Sequence, residues 1–189
     1  MAQKSSWKTR GFTNEVGSIG EKVAKKWLEK KGYTVYFFQD IMGLFAYLRM
    51  TTTRMNRRRK KEYMEKDRNI IQKIEESLIG VFGQNYRAMK KFDEAMRQLV
   101  KKEEETRLAQ GIKKKRSIGF DFIARKNDNI FFIDVKVNQA ELRKYQKLSF
   151  EIVREHGFNA MVLRLNVEIT IGNKIQFTKP ENVYGEGNG

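Results

Sequence analysis

Along the chain, apolar positions recur first at helical intervals, then at every second residue, and the switches mark the elements. Ser18-Ile19-Gly20-Glu21 has the spacing of a capping box, and Val23, Ala24, Trp27 and Leu28 then follow at helix spacing until Lys31-Gly32. This predicts a helix over 18–31. The β-branched and aromatic run 33–38 that follows reads as a strand. Further on, Tyr63, Ile70, Ile74 and Leu78 fall at helix spacing, as do Met89, Phe92, Met96 and Leu99. Gly80 and Gly83 punctuate the two sets, so an antiparallel helical hairpin is the simplest arrangement.

After Ile118-Gly119 the period becomes two. Residues 120–124 and 130–137 flank the turn-forming Lys126-Asn127-Asp128-Asn129 and predict an antiparallel hairpin. Asn138 can cap a following helix whose apolar face is Leu142, Tyr145, Leu148, Ile152 and Val153, with Gly157 as its stop. A strand over 160–165 follows. A last hairpin, 167–171 with 174–177, turns at Gly172-Asn173, and the glycine-rich tail from Gly185 looks frayed. Together these elements predict an α/β fold with a central sheet flanked by helices.

At 189 residues and 22.3 kDa the chain suits one domain with an elaboration. Its formal charge of +16 is concentrated. Residues 49–116 hold 21 Lys/Arg against ten Asp/Glu, whereas 117–189 hold ten against nine. The chain therefore divides into 1–48, with the first helix and strand, a basic helical insertion at 49–116, and 117–189, which carries the rest of the core. Within the insertion, Arg57, Arg58, Arg59, Lys60 and Lys61, together with Lys113, Lys114, Lys115 and Arg116, form two clusters suited to DNA phosphates. The absence of cysteine removes disulfides, thiolate metal sites and cysteine nucleophiles. With one histidine, His156, a multi-histidine zinc site is also ruled out, and that residue is expected at the surface near a helix end. The longest apolar stretch, Ile41 to Leu48, is too short for a membrane span of about 20 residues. A soluble cytoplasmic protein is the expectation.

Chemistry is then left to carboxylates, lysines and a hard metal ion. In the strand 130–137, Asp134 and Lys136 share one face and Ile133, Val135 and Val137 the other. The hairpin register brings Asp121 beside Asp134. Two adjacent carboxylates repel unless a cation neutralises them, and oxygen-only ligation favours Mg²⁺ or Mn²⁺. Glu21 has two readings, a helix-capping partner of Ser18 or a further acidic group of the site.

Asp121, then Asp134-Val135-Lys136, preceded by a helix carrying Glu21, resembles the PD-(D/E)xK nuclease superfamily, in particular its archaeal Holliday junction resolvase-like branch. The resemblance covers roughly 17–39 and 117–165 and follows the order helix, strand, strand, strand, helix, strand. It implies a restriction-endonuclease-like mixed sheet, here with a long inserted helical hairpin. It implies metal binding by Asp121, Asp134 and Glu21, water positioning by Lys136, and an accessory role for Gln146, whose plainer reading is a surface or phosphate-contacting residue. Phe120 stands where the family usually has proline, and the segment 40–116 replaces the short link between the first two strands.

The expected function is a Mg²⁺- or Mn²⁺-dependent endodeoxyribonuclease, selective for DNA structure and acting on branched or duplex DNA as a homodimer. The alternative is a non-catalytic architectural DNA-binding protein on the same fold. A single proline, no cysteine and abundant Lys/Arg would suit a hyperthermophile or one of its viruses, and the resemblance to the archaeal branch points to an archaeal host.

Overall fold

In the computed structural model, which describes residues 6–44, 68–83, 85–109, 111, 119–170 and 174–182, the period-two run is the centre of the fold. Strands β2 (Phe122–Lys126) and β3 (Asn129–Val137) pair antiparallel, with Phe122 opposite Ile133. The turn between them is Asn127-Asp128, and Asn127 takes the left-handed backbone (φ 55°) that asparagine tolerates well. Strand β1 (Thr34–Phe37) adds antiparallel to β2, and β4 (Asn159–Leu165) adds parallel to β3. A two-residue β7 (Glu181–Asn182) closes the order β1-β2-β3-β4-β7, a five-stranded mixed sheet in which β3 is central. Strands β5 (Val167–Thr170) and β6 (Lys174–Phe177) form a separate hairpin.

Alternation along the strands divides the apolar side chains between two clusters, one on each face. On one face, Phe122, Ala124, Ile133, Met161 and Leu163 meet Ala24 and Leu28 of helix α1 (Ser6–Lys30). On the other, Ile123, Phe132, Ala160 and Val162 meet α2 (38–44), α3 (Arg68–Phe82), α4 (Tyr86–Ala109) and α5 (Lys144–Glu155). Helices therefore cover both faces of the sheet.

The helices of the basic segment are part of this core. Phe92 of α4 stacks on Phe132 of β3, with ring centroids 5.9 Å apart and planes inclined by 19°, and Leu78, Val81, Met96 and Leu99 are buried in the same cluster. Gly80 lies within α3, against Tyr36: a Cβ there would fall 1.9 Å from the tyrosine hydroxyl. Gly83, with φ 63°, stands at the end of α3.

Several boundaries differ from the sequence expectation. α1 begins at Ser6, twelve residues before the expected start, so Ser18 is inside the helix and does not cap it. The strand 33–38 shortens to Thr34–Phe37, because Phe38 turns into α2 and is buried in the core. Asn138 is no helix cap either: it adopts left-handed backbone (φ 58°), and its side-chain oxygen accepts from the Val167 N–H at 2.8 Å. α5 starts only at Lys144. Thr170 pairs with Lys174, so three residues separate β5 from β6 where a two-residue Gly172-Asn173 turn is expected. Gly157 (φ 80°) does end α5, and His156 lies half-buried there with Nδ1 2.9 Å from the Ile152 carbonyl. Tyr63, the turn at 172–173 and the tail from Gly185 lie outside the described residues.

Because Phe92 is fully buried against β3, Phe92→Ala is expected to lower the stability of the whole domain by about 3–5 kcal/mol. Urea denaturation followed together by circular dichroism and tryptophan fluorescence tests this. The two signals should stay coincident. A loss confined to the helical signal would mean that α3 and α4 form a separable unit.

Candidate functional site

β2 and β3 part at Asp121. Its N–H still donates to the Ile133 carbonyl at 2.9 Å, and its carbonyl accepts from the Phe38 N–H at 3.0 Å, which fixes the residue to both β3 and β1. Its side chain then stands in for the missing backbone acceptor: Oδ2 accepts from the Val135 N–H at 2.6 Å. Asp121 thus lies beside Asp134, as the register requires, and both line an open cleft of about 670 Å³.

Asp134 follows Ile130 and Phe132 on the face covered by α5 and is only 2% exposed. On a central strand such a carboxylate has lost almost all its water. Gln146 of α5 compensates on one side, its Nε2 donating to Asp134 Oδ1 at 3.2 Å while its Oε1 accepts from the Arg143 N–H at 3.0 Å. One amide therefore joins the start of α5 to the carboxylate. This corrects the reading of Gln146 as a surface residue, since it is 7% exposed and aimed inward. On the other side Lys136 Nζ sits 2.5 Å from Asp134 Oδ2. The contact is a close ion pair, and it opposes the rise of the Asp134 pKa that burial causes.

Glu21 reaches the same cleft from α1. It lies on one helical stripe with Ala24 and Leu28, one and two turns before them. Gly20 permits the close approach: a Cβ there would meet Val137 Cγ2 of β3 at 2.9 Å. With Ser18 inside the helix, the capping reading of Glu21 falls away and its place in the cleft remains.

The electrostatics agree with the geometry. Burial pushes Asp134 up to about 7, and the neighbouring Asp121 and Glu21 charges add to this while Lys136 opposes it. Burial raises Asp121 as well, against the Val135 N–H and Lys136. Glu21 is raised by burial and then by Asp121. Asp40 and Glu141 bring the lining carboxylates to five, against the cations Lys136 and Arg143. An acidic cleft in a chain of charge +16 is a local reversal of sign.

Among the described residues, no group of three or more acidic or histidine side chains is already gathered as a metal shell. The donors nevertheless fit a hard dication. All are carboxylate oxygens, and the three raised acids repel one another in a way that a cation relieves.

Sequence reasoning did not single out Phe37, Asp40, Glu141, Arg143 or Tyr145, which also line the cleft. Asp40 and Phe37 sit just around the end of β1, and Arg143 immediately precedes α5, so only the tertiary fold brings them to Asp121. The expected DNA-binding clusters, Arg57 to Lys61 and Lys113 to Arg116, lie outside the described residues. No helix of the described residues is long and apolar enough to cross a membrane. Comparison with protein-family models, with curated proteins and with solved structures finds no match to the chain.

The raised acids have a measurable consequence. Below about pH 4 Asp134 is protonated in both folded and unfolded chains; between there and pH 7 only the folded chain keeps the proton, so stability falls as pH rises through that window. Asp134→Asn is therefore expected to stabilise the metal-free protein at pH 8, by about 1–4 kcal/mol, and to flatten this slope. Urea midpoints between pH 4 and 8 give the answer, and a variant less stable than wild type at pH 8 would contradict it.

Proposed function

We propose that this chain is a divalent-metal-dependent endonuclease that hydrolyses DNA phosphodiester bonds, built on a PD-(D/E)xK-type core of restriction-endonuclease-like architecture. The observation that carries this reading is the meeting of Asp121, Asp134 and Lys136 with Glu21 in one acidic cleft, in a chain that is otherwise strongly basic. Supporting it is the element order α1, β1, β2, β3, α5, β4, with residues 38–121 lying between β1 and β2. That order agrees with the helix, strand, strand, strand, helix, strand of the resemblance, and the mixed sheet agrees with it too.

The roles follow from the contacts. Asp121, Asp134 and Glu21 would hold Mg²⁺ or Mn²⁺, which when bound supplies charge neutralisation and Lewis-acid polarisation of the scissile phosphate. Gln146 fixes the rotamer of Asp134, and the Val135 N–H fixes that of Asp121. Lys136, held against Asp134, directs its ammonium protons toward the attacking water and the charge growing on the phosphate oxygens. Water adds to phosphorus as the ester P–O bond breaks, and the departing oxygen takes up a proton. The positive charge of the chain attracts the polyanion, so binding weakens steeply with salt. Cutting both strands of a duplex or a branch requires two such clefts, so the reading includes a two-fold dimer.

Cleavage of labelled four-way junction, flap, duplex and single-stranded DNA with Mg²⁺ or Mn²⁺ tests the reading. Wild type should cut at least one of them, and Asp134→Asn and Lys136→Ala should each lose about 10²-fold or more in rate while still binding DNA. Tight binding with no cutting on any substrate would leave the architectural alternative in its place.

A further inference from the structure

Among the described residues the large exposed apolar side chains are Ile19, Phe37, Ile79, Val100 and Leu108. Phe37 alone of these lines the cleft, and it alone is aromatic. An isolated exposed phenylalanine on a surface needs no explanation. This one lines a charged cleft and is held there. It pairs with Phe122 across β1 and β2, and its ring rests against that buried ring at 5.3 Å, inclined by 48°. The next residue, Phe38, is buried and donates its N–H to the carbonyl of Asp121 at 3.0 Å. The ring is therefore fixed one residue from the backbone contact that positions Asp121, and it remains 39% exposed. Arg143, an exposed cation at the start of α5, also lines the cleft and is suited to a phosphate.

We infer that Phe37 is a specificity-determining residue whose ring stacks on an unpaired nucleobase beside the scissile phosphate. The inference rests on the endonuclease reading and narrows its substrate class. A paired base in a duplex is stacked on its neighbours and shows only its edges in the grooves, so it has no face to offer Phe37. Bases next to a branch, in a flap or in a single strand can turn one face to an aromatic ring, and such stacking tolerates any base. The substrate would then be DNA with at least one unpaired nucleotide at the cut, gripped by a base face at Phe37 and a phosphate at Arg143.

Two readouts test this. The first is the ratio of kcat/KM on flap or single-stranded DNA to that on fully paired duplex of the same sequence. Phe37→Ala should lower this ratio about tenfold or more, and Phe37→Trp should keep it. The second does not need cutting: 2-aminopurine is placed at successive positions of the unpaired strand and its fluorescence followed on binding to the Asp134→Asn protein. One position should be quenched, and adding Phe37→Ala should remove that quenching. An unchanged ratio, or an equal loss on every substrate with the quenching intact, would overturn the inference. If wild type cuts nothing while Phe37-dependent quenching persists, the nuclease reading fails and the stacking site stands. No cutting and no quenching would overturn both.

Discussion

A carboxylate on the central strand of a sheet covered by helices on both faces has lost its water, and the neighbourhood of Asp134 is arranged around that cost. Gln146 gives it a hydrogen bond, Lys136 gives it a countercharge, and Asp121 and Glu21 work against both. A structural ion pair would not be surrounded by further acids, since each one raises the free energy of the charged state. Under the proposed function a divalent cation would relieve this repulsion, with the rest of the fold supplying the rigidity to hold like charges together.

That rigidity comes from ordinary packing. Phe132, two residues before Asp134, is enclosed by Phe38, Phe92, Phe120 and Phe158, and these rings come from α2, α4, the approach to β2 and the approach to β4. The aromatic cluster binds α2 and α4 to the strand that carries Asp134 and Lys136. On the opposite face the small Gly20 lets α1 come close to β3, and this brings Glu21 to the cleft. The basic segment therefore supports the site as part of the core through α3 and α4.

The pairing of Asp121 with Asp134 was legible in the sequence because strand alternation and a short polar turn leave little freedom in register. So were the Gly157 stop and the apolar seam of Met89, Phe92, Met96 and Leu99, each set by local periodicity or backbone handedness. Other features depend on contacts distant in sequence. The first twelve residues of α1 include two glycines and few apolar side chains, so their helical periodicity is weak. Asn138 resembles a cap because asparagine favours both caps and left-handed backbone, and only the Val167 contact distinguishes the two. Gln146 looks like a solvent-facing position until Asp134, twelve residues away, is seen to need its amide. Phe37 and Arg143 join the site through the fold alone.

The most direct test of the central claim is calorimetric titration of Mn²⁺ into the protein at pH 6.5, without nucleic acid, in buffers of different ionisation enthalpy. With Asp134 near pH 7 in the metal-free state, binding should release protons, seen as heat that varies with the buffer, and Asp134→Asn should abolish both the binding and the release. Binding that is absent in wild type, or unchanged in the variant, would contradict the account.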